Sequence, residues 1–118
     1  MGFFGDLFGI IWEALKKIWD KIKKIFVKIL NFFNHIANWF KNASRAKKLK
    51  EDRDVLAVVI KEKLSDRSNY NIVNCLFDNK AGEIVVDNGE TQAEVVETES
   101  LDNETLKNFG DKDMIVLQ

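Results

Sequence analysis

The chain contains no proline, one cysteine, one histidine and six glycines in 118 residues. A lone cysteine excludes an internal disulfide framework. The lack of proline and scarcity of glycine argue against a loop-rich all-β fold. With one histidine, one cysteine and no glycine-rich phosphate signature, most catalytic and metal-binding classes lack the residues they need. No apolar run reaches the roughly 20 residues of a membrane-spanning helix. The longest uncharged stretch after the first lysine, Ile29–Phe40, holds three asparagines and His35. Asp6 near the start, lysines recurring from Lys16 and no small-residue cleavage site do not make a secretory signal. Met1-Gly2 lacks the Ser or Thr at position 6 that N-myristoylation uses. The expected compartment is the cytoplasm, with association at a membrane surface, and the sequons at Asn42 and Asn103 read as chance.

What is present is apolar and charged in quantity: 46% hydrophobic, 31% charged and 11% aromatic, which describes a folded chain. The net charge of −1 hides a division. Residues 1–50 hold eleven Lys/Arg against Asp6, Glu13 and Asp20, a net +8. Residues 51–118 hold seven against sixteen Asp/Glu, a net −9. Ten of the thirteen aromatics lie in the first forty residues, so two functional halves are expected, 1–43 and 44–118. A basic half is drawn to anionic lipid, to nucleic acid or to the acidic half of another copy.

The first forty residues repeat every seven. One column reads Phe4, Ile11, Ile18, Ile25, Phe32, Trp39; a second reads Phe8, Leu15, Ile22, Ile29, Ile36; a third reads Trp12, Trp19, Phe26, Phe33, Phe40. Lys16, Lys17, Lys21, Lys23, Lys24 and Lys28 fall between these columns. The pattern predicts one amphipathic helix over 6–42, roughly 55 Å long. Burying sixteen large apolar side chains is worth roughly 25–50 kcal/mol before entropy. The remaining apolar residues suffice for one small core, so the stripe is expected to meet something outside the chain. A strict seven-residue repeat favours packing with other copies, as in a coiled coil. A lysine face opposite Trp and Phe favours an anionic membrane surface. Nucleic acid is not expected, because single-strand binders mix aromatics and cations on one face.

The second half reads as a small acidic α+β module. A helix is expected from Arg45 to Leu64, although Val55, Val58, Val59 and Ile60 also suit a strand. Tyr70–Phe77 reads as a central strand, Asn88-Gly89 as a hairpin turn, Leu101–Phe109 as a short helix ended by Gly110, and Met114–Leu117 as a last strand. The fold class is therefore α+β: a long N-terminal heptad helix, a second helix, and a mainly antiparallel sheet. His35 reads as a surface or interface residue and Cys75 as a small core hydrophobe. The acidic run from Glu94 to Glu104 reads as a solvated face. No catalytic residue, metal ligand, cofactor or small-molecule substrate is expected. The function read from this pattern is a non-enzymatic scaffold whose N-terminal helix packs with other copies at an anionic membrane surface. Its rivals are a pore-forming effector and a soluble adaptor for a heterologous helix.

Overall fold

The computed structural model describes residues 3–117, with side chains from Leu7 onward. Four α-helices and a mainly antiparallel sheet make it an α+β protein among the described residues. The elements run α1 (Phe3–Lys17), β1 (Lys23–Leu30), a π-helical turn (Phe32–Ala37), α2 (Asn38–Lys41), α3 (Ala43–Glu51), β2 (Val55–Lys63) and β3 (Tyr70–Asp78). They continue as β4 (Glu83–Ile84), β5 (Val86–Asp87), β6 (Glu90–Thr91), β7 (Ala93–Leu101), α4 (Asn103–Phe109) and β8 (Met114–Leu117). The main sheet has the order β1-β7-β3-β2-β8, with β4 attached to β3.

The single helix expected over 6–42 does not form. The helix stops at Lys17, a short 3-10 turn at Trp19–Lys21 reverses the chain, and Lys23–Leu30 becomes a strand. Two physical reasons account for the change. Residues 23–30 carry β-branched Ile25, Val27 and Ile29, which suit a pleated surface as well as a helix. They also find a partner: β1 runs parallel to the acidic β7, with Lys23 opposite Glu94 and Phe26 opposite Glu97. Tertiary pairing overrides a local helical period here.

The sheet is covered on both faces. Along β2 and β3 the residues alternate between two cores. Val58, Ile60, Val73, Cys75 and Phe77 pack with Leu7, Ile11 and Leu15 of α1. Val55, Ala57, Val59, Ile72 and Leu76 pack on the opposite face with Phe32, Ile36, Phe40 and Phe109. The expected boundary at residue 43 opens α3, and side chains from both sides of it share each core. The helix expected over 45–64 ends at Glu51; its β-branched second half is β2, antiparallel to β3. Asp52 starts the turn by accepting the Asp54 amide on its carboxylate (2.9 Å).

The remaining elements lie close to where the sequence puts them. β3 is the middle strand of the sheet and buried on both faces. Asn88 and Gly89 both take positive φ (54° and 78°) and join β5 to β6. Asp102 caps α4, and Gly110 ends it at φ +60°.

Candidate interaction surface

The sixteen stripe residues are divided by the fold rather than kept on one face. Ile11, Leu15, Ile22, Phe32, Ile36 and Phe40 are buried within the chain. Phe8, Trp12, Ile18, Trp19, Ile25 and Trp39 are half-buried against the two cores. Trp12 links Phe8, stacked at 6.4 Å, to Trp19, edge-on at 5.8 Å, so these three rings act as an internal aromatic ladder. The side chain of Phe4 lies outside the described residues. Phe26, Ile29 and Phe33 remain, each 57–59% exposed. The expectation that the whole stripe seeks an external partner is thus corrected. Most of it is core, because the chain doubles back at residue 18 and lays α1 and the π-helical turn on opposite faces of its own sheet.

The three exposed residues fall within eight positions of one another, on β1 and just beyond it. β1 pairs with β7 on one side only and so ends the sheet. An eight-residue edge presents a row of backbone donors and acceptors able to pair with another strand. It is guarded by Lys23, Lys24 and Lys28, all exposed, as natural edges commonly are.

One of these lysines is answered by an ion pair inside the molecule. Lys24 Nζ lies 3.3 Å from Glu97 Oε1, and Lys23 lies opposite Glu94 in register. Glu97 is the centre of a polar cluster. Arg67 donates to it twice (Nε at 2.8 Å and a second nitrogen at 3.1 Å), and Asn69 donates at 2.7 Å. Hydrogen bonds from Arg67 and Asn69, with Lys24 beside them, hold its carboxyl down at about 2, against the opposing effect of burial. Lys16, Lys17 and Lys21 stand exposed on and just after the last turn of α1. The +8/−9 division is therefore discharged partly across the β1–β7 ladder, which no composition argument could locate.

His35 sits half-buried in the π-helical turn. Its Nδ1 accepts the Asn31 amide (2.8 Å), so the geometry assigns the ring proton of the neutral form to Nε2. Cys75 is buried, and desolvation pushes its thiol up to about 12, which makes it unreactive. Among the described residues, no group of three or more His, Cys, Asp or Glu side chains is placed to hold a metal ion. No described helix is long and apolar enough to cross a membrane. The chain matches no known protein family, no curated protein and no solved structure. Sequence reasoning missed the Glu97 cluster and the role of Arg67. The one available signal was Glu97 standing two residues from Val95, on the same face of the strand.

Proposed function

We propose that this is a non-enzymatic, self-associating protein whose contact surface is the β1 edge with Phe33. The observation that carries this reading is the coincidence of an open strand edge with three large apolar residues left more than half exposed. A second copy supplies the same edge, so strand can add to strand, with Phe26 and Ile29, which leave opposite faces of β1, flanking the new pair on either side. The magnitude is modest. Covering the exposed parts of the three side chains on both copies is worth roughly 5–10 kcal/mol, within the roughly 4–15 kcal/mol that association costs. New backbone hydrogen bonds add about 1 kcal/mol each. The favourable and unfavourable terms nearly offset, so the association is weak.

Sedimentation equilibrium from about 10 µM to 1 mM tests this. The mass average should rise with concentration, and Phe26→Asp with Ile29→Asp should abolish the rise while leaving the circular dichroism unchanged. A wild-type chain that stays monomeric throughout that range would overturn the reading.

The same surface supports a second reading, attachment to an anionic membrane. Its support is the three lysines that flank Phe26 and Ile29. Flotation with anionic vesicles measures it. Binding that disappears in the Phe26→Asp, Ile29→Asp chain, together with a monomeric wild type, would place the lipid reading first.

A further inference from the structure

Arg45 is held by neutral groups alone. Its Nε donates to Gln92 Oε1 (3.0 Å), one terminal nitrogen donates to the Trp39 carbonyl oxygen (2.9 Å), and the guanidinium carbon lies 3.9 Å from the Trp39 ring centre. Gln92 is buried and is itself fixed, since its amide nitrogen donates to the Glu90 carbonyl oxygen (3.1 Å). Asn42 sets the backbone of Arg45 by accepting the amides of Ser44 and Arg45 at the start of α3. Among the described residues no carboxylate lies within ion-pair distance of Arg45. A guanidinium has five N–H donors. Two are used, so three remain on a group that cannot turn away.

The group borders a cleft of about 680 Å³ between Trp39, the β5–β6 hairpin and the start of β7. Lys21 and Lys23 line the same cleft, as do Glu90 and Glu94. Glu94 stands opposite Lys23 in register, and desolvation raises its proton affinity despite Lys23, Arg45 and His35 nearby. The five charged side chains leave the cleft with one positive charge in excess. Burial works against the charge of Arg45 and lowers its proton affinity, more than Glu94 and Glu90 restore it. A half-buried cation fixed by neutral acceptors, with donors unspent, is a preorganised receptor for an oxyanion.

We propose that this cleft binds a phosphate oxyanion, which takes the unspent N–H donors of Arg45 with Lys21 and Lys23 as supporting charges. The site shares Lys23 with the β1 edge but does not depend on the self-association reading. Phosphate is favoured over a carboxylate because a tetrahedral group can meet the guanidinium and two lysines on different oxygens. Its source is either a free phosphate or monoester, or a phospholipid headgroup.

The test uses the full chain at constant ionic strength. Inorganic phosphate is titrated while the Arg45 Nε–H and Trp39 indole N–H resonances are followed. A saturable shift is expected with phosphate and none with chloride. Arg45→Lys keeps the charge and loses the fork, and should weaken binding at least about tenfold. Lys16→Gln, outside the cleft, should leave it unchanged. Should Arg45→Lys disturb the fold, Gln92→Leu, which frees the guanidinium, serves as the second variant and should also weaken binding. Flotation on phosphatidylglycerol against phosphatidylcholine vesicles then separates the sources. Flotation competed by inorganic phosphate names the headgroup, and phosphate binding without flotation names the free ion. Linear, non-saturating shifts, or equal affinity in the Arg45→Lys chain, would overturn the proposal.

Discussion

Glu97 and Asp102 show how single carboxylates organise this molecule. Glu97 gathers Arg67, Asn69 and Lys24 around a buried carboxylate, whose hydrogen bonds hold it down at about 2 when folded. An unfolded glutamate titrates near 4.3. The folded state therefore holds its proton more weakly, and the stabilisation is fully present above the unfolded value. It is lost as pH falls from about 4.5 towards 2. In Glu97→Gln, thermal melts across that window should flatten relative to wild type; an unchanged slope would contradict the assignment. Asp102 has a joining role. It accepts the amides of Phe32 and Thr105 and the Thr105 hydroxyl, while its own amide donates to the Leu30 carbonyl oxygen. Desolvation pushes its carboxyl up, but the hydrogen bonds from Thr105 and Phe32 outweigh that and hold it below the ordinary value. One side chain thus caps α4 and begins the π-helical turn 70 residues away. Asp102→Ala should cost about 1–2 kcal/mol, read as a shift in the urea midpoint, where a surface substitution would leave it in place.

At the scale of elements, the two ends of the apolar stripe behave differently. α1 buries Leu7, Ile11 and Leu15, spaced four apart, with Phe8, Trp12 and Ala14 packed beside them against the same core. β1 buries Leu30 and leaves Phe26 and Ile29 to solvent. Substitutions should separate these roles. Ile11→Ala removes a fully buried side chain from a packed core and should cost about 2–5 kcal/mol. Trp19→Asp places a charge against the same core and should destabilise the chain outright. Phe26→Asp should leave the denaturation midpoint within about 0.5 kcal/mol of wild type and act only on association. Equal destabilisation by Phe26→Asp and Ile11→Ala would show that the β1 edge is core and not surface.

For the whole molecule, the decisive dimension is 35 × 35 × 28 Å. A helix over 6–42 would need roughly 55 Å, so folding it straight would leave the stripe outside the body. Doubling it back gives the sheet a cover on each face and gives the lysines of β1 the acids of β7. The N-terminal segment is consequently part of the fold it was expected only to decorate. A chain of residues 43–118 should lack the α1 cover and the β1 partner of β7. It should bind a hydrophobic dye and melt without cooperativity, and a sharp two-state melt would refute this. A peptide of residues 1–42, deprived of β7, should show little β signal in its circular dichroism, because its strand is formed only by pairing.

Features that depend on local chemistry were legible in the chain alone. Asn88-Gly89 turns because both residues tolerate positive φ, Gly110 ends α4 for the same reason, and Tyr70–Asp78 lies at the centre because both its faces are apolar. The α+β class followed from those segments. The tertiary structure alone decided the fate of residues 18–42. Their seven-residue period satisfies a helix, yet no glycine or proline marks the break, and the strand at 23–30 exists because β7, seventy residues later, offers hydrogen bonds and opposite charge in register. It also decided the surface, since Ile25 and Phe26 look alike in the sequence and differ only in what packs against them. Long-range pairing free energies of this kind are comparable with local propensities, so a local pattern cannot rank them.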